Sequence, residues 1–205
     1  MHRQKGFTLI ELLVVIAIIG LLMTIIMVSL GGAKSKSRDA RRIADVKNIQ
    51  LALSLYYNDY GTYPRNIYST SASAAPALGL APAYLPFVPT DPSDTAACTD
   101  GQQTSCYKYA GFALIANNPP SGNPACNGTT NPVAKYQVGA KLEETGNASL
   151  NGQDADAPVA PAGTMAGFRL CNSAGSAFDG TSVDCTSALG TAQPNGTEKC
   201  YDMTP

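Results

Sequence analysis

The chain has 205 residues, 14 Lys/Arg against 15 Asp/Glu, a net charge of −1 and a single histidine. That length fits one modest domain plus a membrane helix. The net charge hides a basic block at 34–47, six Lys/Arg against Asp39 and Asp45, and an acidic 61–205, six Lys/Arg against eleven Asp/Glu. The acidic part argues against a broad nucleic-acid binder. The lone histidine is His2, so Ser-His and Cys-His nucleophile systems have no base in the body of the chain.

The first residues, Met1–Gly6, form a short basic leader with Arg3 and Lys5. From Phe7 to Leu30 only Thr8, Glu11, Thr24 and Ser29 are polar. As a helix this stretch would be about 36 Å long, enough for a hydrocarbon core of about 30 Å. An acid there costs roughly 2.5–3.5 kcal/mol on insertion scales, so Glu11 needs a partner or a purpose. A plain anchor leaves Glu11 unexplained, and a secretory signal cut near Gly31 would have an unusually long apolar core. A cut after Gly6 gives Glu11 a role. It creates an α-amino group on Phe7, and in axially offset copies that cation can meet a neighbour's carboxylate in a low-dielectric phase.

The segment Lys5–Gly20, KGFTLIELLVVIAIIG, strongly resembles the amino-terminal signature of type IV prepilins and type II secretion pseudopilins. The resemblance implies that a prepilin peptidase cuts between Gly6 and Phe7 and methylates Phe7, and that Glu11 guides subunits into a helical filament. It also implies a bacterial inner-membrane, single-pass chain with its head outside the cytoplasm, later drawn into a pilus or pseudopilus. Expected partners are identical or related pilin subunits, the peptidase, an assembly platform with its ATPase, and inner-membrane lipid. Nucleic acid is expected only as a pilus ligand. Lys34, Lys36, Arg38, Arg41 and Arg42 outnumber the leader cations, and the positive-inside rule by itself would put the head in the cytoplasm. The resemblance outweighs it.

Gly31–Gly32 weakens the helix locally, but residues 33–60 resume it without proline. Ile43, Val46, Ile49, Leu53, Tyr56 and Tyr60 form one apolar stripe for a head to cover. Residues 7–60 thus predict a helix of about 80 Å, with 7–30 the membrane and filament-core part and 31–60 its amphipathic continuation. Gly61 and Pro64 stop it. The segment Asn58–Pro64, NDYGTYP, is similar to the helix end of major pseudopilins. All 14 prolines follow Gly61, which marks 61–205 as the head.

After a Ser/Ala/Pro-rich connector, Tyr84–Pro92 reads as an extended surface loop, and the Leu-Pro…Asp-Pro pattern within it resembles a pseudopilin loop. Cys106–Leu114 and Ala134–Leu142 read as strands, the second with Tyr136, Val138, Ala140 and Leu142 on one face. Residues 84–145 are the expected β-rich part. Glu143–Gly163 reads as a linker, Met165–Cys171 as a strand, and the rest of 146–205 as a variable, turn-rich, cysteine-containing region. The expected architecture is α+β and pilin-like: a long amino-terminal helix packed on a small antiparallel sheet with disulfide-stapled loops.

Cys98, Cys106, Cys126, Cys171, Cys185 and Cys200 lack zinc-knuckle spacing and predict up to three disulfides in an oxidising compartment. Proximity favours Cys98–Cys106, with a second bridge among Cys171, Cys185 and Cys200. The partner of Cys126 is open. No phosphate loop or dinucleotide fingerprint is present. Glu143–Glu144 and Asp154/Asp156 read as solvated acids, so no enzyme and no cofactor are expected. Calcium remains a candidate, with Asp91, Asp94 and Asp100, or Asp154, Asp156, Asp179 and Asp184, as available carboxylates. Asn127, Asn147 and Asn195 fit the glycosylation pattern at a rate chance explains. The function expected is a structural filament subunit, for protein secretion or for pilus adhesion, motility or DNA uptake. The alternative is a membrane-anchored binding or adhesion module that does not polymerise.

Overall fold

The computed structural model describes residues 6, 8–69, 79–94, 98, 106–114, 126, 132–151, 154, 164–165, 168–170, 178, 185 and 199–205. Helix α1 spans Leu9–Tyr60 without interruption, including Gly31 and Gly32. It ends where the sequence predicts: Gly61 adopts φ +67° and donates its N–H to the Tyr57 carbonyl at 2.8 Å. That left-handed turn satisfies a last-turn carbonyl, and glycine adopts it without a Cβ penalty.

The chain forms two compact units, residues 1–37 and 38–205. In the first, every described large hydrophobic residue from Leu9 to Met27 is between 47% and 87% exposed. Among the described residues no helix is long and apolar enough to cross a membrane. Apolar helix side chains are described without a break only over Leu9–Thr24. That is about 24 Å of helix against a core of about 30 Å.

In the second unit, one face of α1 is the floor of the core. Val46, Ile49, Leu53 and Tyr56 are fully buried, at the three- and four-residue steps that put side chains on one face. Each contributes roughly 1.5–3 kcal/mol by leaving water. Tyr60 departs from the expected stripe: it is 41% exposed, with its ring 4.7 Å from Tyr56.

The sheet contains β1 (Lys108–Leu114), β2 (Val133–Lys141), β3 (Thr164–Met165), β4 (Phe168–Leu170) and β5 (Cys200–Met203). Its order is β3-β4-β1-β2-β5, and all pairings are antiparallel. The head is therefore larger in strand count than the sequence suggests. Where a single strand is expected over Met165–Cys171, two short antiparallel strands, β3 and β4, are found, and β5 lies in the region read as turns alone.

The β1–β2 register shifts by one residue: Phe112 pairs with Lys135, but Ala113 pairs with Val133. Ala134 is the extra residue of a β-bulge. The bulge turns Val133 to the same face as Tyr136, Val138 and Ala140, where all four join the helix-side core. The opposite face is also covered, by Phe168 and Leu170 against Ala110 and Phe112, and by Phe178 with Cys185 and Cys200. Gly139 is required there, because a Cβ would lie 2.8 Å from the Phe178 ring and 3.0 Å from the Tyr201 carbonyl.

Cys98–Cys106 and Cys185–Cys200 are disulfides, with Cα–Cα distances of 5.5 Å and 5.1 Å. Cys126 is also disulfide-bonded. Cys171 lies outside the described residues.

Candidate functional site

Two constellations carry chemistry: the start of α1, and an arginine-centred cluster where the helix meets the head loops.

At the helix start, Thr8 is the N-cap and Glu11 the third helical residue. The Thr8 N–H and hydroxyl each donate to Glu11 Oε2 at 2.8 Å, and the Glu11 N–H donates to Thr8 Oγ1 at 3.3 Å. This reciprocal pattern is a capping box, which satisfies otherwise orphaned backbone N–H groups of the first turn. The Thr-x-x-Glu spacing was readable in the sequence, but the acid-in-apolar-run reading used Glu11 without Thr8. The carboxylate thus has a local partner before any second chain arrives. Gly6 is exposed, with open space around its Cα. Phe7 lies outside the described residues.

The second constellation centres on Arg42, 2% exposed. Its Nε and Nη2 donate to both oxygens of Asp91 at 2.8 Å. Nη1 donates to Asp39 and to Glu143, each at 2.7 Å, and Nη2 also reaches Ser93 at 3.0 Å. A guanidinium has five N–H donors, and all five are occupied. Asp39, fully buried, also accepts the backbone N–H groups of Glu143 and Glu144 at 2.9 and 3.1 Å. Arg38 pairs with Glu143 through Nε and Nη2. One helix turn thereby holds the loop at 91–93 and the turn at 143–144.

The electrostatics follow from these contacts. Hydrogen bonds from Arg38, with Arg42 adding to them, pull the Glu143 carboxyl down to about 2 against the opposing effect of burial. Burial pushes Asp91 up, but hydrogen bonds from Arg42 and Ser93 outweigh it and leave its carboxyl below the usual value. Burial likewise works against the Arg42 charge, and its three carboxylates overcome that, raising its pKa.

The cluster changes two readings of the sequence. Arg38 and Arg42, counted in the sequence only as cations flanking the apolar run, both pair with head carboxylates. Asp91, offered as a calcium ligand, faces a guanidinium. Asp94 donates its N–H to the Asp91 carbonyl at 3.3 Å. Asp154 Oδ1 accepts the Asp202 N–H at 2.7 Å on β5. Asp100, Asp156, Asp179 and Asp184 lie outside the described residues. Among the described residues no group of three His, Cys, Asp or Glu is placed to hold a metal ion.

Tyrosine hydroxyls make further links between helix and head. Tyr107 donates to Asp45 at 2.8 Å and Tyr84 to Asp59 at 2.6 Å, while Tyr109 donates to the Pro64 carbonyl. Tyr57 stacks on Tyr63, and Tyr63 meets Tyr136 edge-on, both at 4.7 Å. Tyr56, Tyr109 and Tyr136 are therefore core packing.

A long amino-terminal helix, capped by a Thr–Glu box and packed through its second half on a five-stranded antiparallel sheet, defines a pilin-like α+β protein. The sequence model of the prokaryotic N-terminal methylation motif matches residues 1–27. The type II secretion system core protein G of Klebsiella pneumoniae is 31% identical over 155 residues, covering 69% of this chain and 100% of that protein. The core protein G of Pectobacterium carotovorum is 38% identical over 63 residues, covering 31% of this chain and 40% of its own length. A fimbrial protein of Neisseria meningitidis is 33% identical over 82 residues, covering 40% of this chain and 47% of its own. No solved structure matches. The chain belongs to the type II secretion system core protein G family.

Proposed function

We propose that this protein is a structural subunit of a type II secretion filament, stored in the membrane and polymerised through the start of α1. The observation that carries the reading is the exposure of every described large apolar side chain from Leu9 to Met27, around one carboxylate. Contiguous apolar surface on this scale marks a lipid or protein interaction site. Residues 7–30 would lie in the inner membrane, with residues 38–205 outside the cytoplasm, and later in the filament core. The oxidised cysteines support an extracytoplasmic head.

The processing steps rest on the methylation motif. A prepilin peptidase removes Met1–Gly6 and methylates the amino group of Phe7. That group and Glu11 of an adjacent copy then form the pair that sets the stacking register. Because Glu11 already accepts two hydrogen bonds from Thr8, assembly at this point is an exchange of partners. The gain is the difference between an ion pair and a capping box. An assembly ATPase and membrane platform supply the work. The fold carries no catalytic role in this reading; the head is cargo-facing or neighbour-facing surface.

The mature mass tests the proposal. Loss of Met1–Gly6 with addition of one methyl group is expected; an intact leader, which leaves the non-polymerising anchored module, or a cut near Gly31, which removes the apolar run itself, would overturn it.

A further inference from the structure

We infer that Phe87 is an anchor for filament assembly, seating on the Leu51/Leu55 face of α1 in a second copy of the chain. The inference rests on the filament reading and names the head surfaces that neighbouring copies share. Both sides of the contact lie within residues 38–205. Among the described residues of that unit, the exposed large apolar side chains are Leu51, Leu55, Tyr57, Tyr60, Phe87 and Leu114. Three of them have company in their own chain. Tyr57 stacks on Tyr63, the Tyr60 ring lies 4.7 Å from Tyr56, and Leu114 pairs with Phe168 across β1 and β4. Leu51, Leu55 and Phe87 remain.

Leu51 and Leu55 stand four residues apart and so share one face of the helix. That face is turned away from the buried stripe of Val46, Ile49, Leu53 and Tyr56, and its neighbours Lys47, Asn48 and Ser54 are exposed with it. Phe87 is 70% exposed in a loop that is tied down on both sides. Before it, the Tyr84 hydroxyl donates to Asp59 at 2.6 Å and the Tyr84 N–H to the Leu80 carbonyl at 2.9 Å. After it, the Pro89 carbonyl accepts the Tyr68 hydroxyl at 3.2 Å, and Asp91 takes two donors of Arg42. Leu85 and Val88 pack on the core to either side, and Pro86 and Pro89 restrict the backbone between them. An aromatic side chain held out in this way is ordered before any partner arrives, which lowers the entropy that association must overcome. A few such anchors carry most of the energy of an interface. A filament built from one kind of subunit by head-to-tail contacts needs two different, complementary surfaces on every copy. The knob at Phe87 and the leucine pair on α1 are two such surfaces, both apolar and unlike in shape. Each copy offers Phe87 to one neighbour and its leucines to another.

The test uses full-length chains in cells that carry the filament assembly machinery. Copies with Phe87→Cys are co-expressed with copies with Leu55→Cys, oxidised, and separated without reductant. A cross-linked dimer is expected from this pair. None is expected from Phe87→Cys alone, or from Phe87→Cys with Thr145→Cys, an exposed position on the turn after β2. Phe87→Ala and Leu55→Ala should each cut filament number about tenfold. The two together should do no worse than one, because both remove the same contact. Thermal melting of the Phe87→Ala head should match the wild type, since that side chain is already open to water in the single chain. Wild-type filaments with no cross-link above the Thr145→Cys control, or normal filament numbers from Phe87→Ala, overturn the inference. A dimer from Phe87→Cys alone means a symmetric contact and overturns it as well. Wild-type chains that keep Met1–Gly6 and form no filaments overturn the filament reading, and this contact with it.

Discussion

Between Leu9 and Met27 the least exposed of the described large apolar side chains still shows 47% of its surface, yet Val46, Ile49, Leu53 and Tyr56 on the same helix show none. Both stretches are rich in Leu, Ile and Val, but the first carries a single charged residue, Glu11, whereas polar and charged residues sit on the other faces of the second. The difference lies in where the partners are. The second stretch has one apolar face and a sheet from its own chain to cover it. The first is apolar on every side and is covered by none of the described residues, which is the pattern of a segment completed by lipid or by other copies. Polar chemistry follows the same division. Glu11 satisfies itself three residues away on Thr8, whereas Arg42 draws on Asp91 and Glu143, 49 and 101 residues along the chain.

The sharpest way to break this comparison is Glu11→Val. If the first stretch is completed from outside, filaments seen by electron microscopy should be lost while the head's thermal melting stays unchanged. Filaments of normal length from that variant would show that the carboxylate is incidental.

Arg42→Ala tests the self-sufficiency of the head. It strands the fully buried Asp39 without its counter-ion, and removing one partner of a buried pair costs about 3–5 kcal/mol. Urea denaturation should show a shift of that size; a loss below about 1 kcal/mol would reduce the cluster to a surface ion pair. Replacing Cys185 and Cys200 together by serine opens a loop of 15 residues. The expected loss is about 3 kcal/mol by the chain-entropy estimate, read from the same denaturation curves with and without reductant.

Glu143→Gln is expected to cost about 1 kcal/mol, because its side chain is 30% exposed and solvent screens the pair. The same residue gives a pH signature. Its folded pKa of about 2 lies below the ordinary 4.5, so its contribution is present above pH 4.5 and fades as the pH falls toward 2. Acid titration of stability should therefore be flatter over that window in Glu143→Gln than in the wild type. Parallel curves would show that Glu143 is not titrating as the contacts require.

Local signals made much of the fold legible. The helix could be read from Ile43 to Tyr56 at helical steps and from Gly61 as its stop. The centre of the sheet could be read from the alternation of Tyr136, Val138, Ala140 and Leu142. Weak local signals failed. Strand β5 is four residues long, too short for alternation to stand out, and it is held in place by Val138–Ala140 and by the bridge to Cys185. The bulge at Ala134 is invisible in sequence because it is defined by the partner strand's register. The processing segment was readable because its chemistry is contiguous. The Arg42 cluster was not, since nothing near Arg42 in sequence announces Asp91 or Glu143, and the carboxylate at 91 reads as well for a metal as for an arginine.

The stoichiometry at Arg42 has an evolutionary consequence. Lysine conserves the charge but brings three donors to a position that serves five acceptor contacts, so even the mildest exchange leaves oxygens stranded. Position 42 is therefore free to drift only if its acidic companions drift with it. Among aligned relatives, those without arginine there should have lost the acids at 39, 91 and 143 as well, so that the quartet comes and goes as a unit.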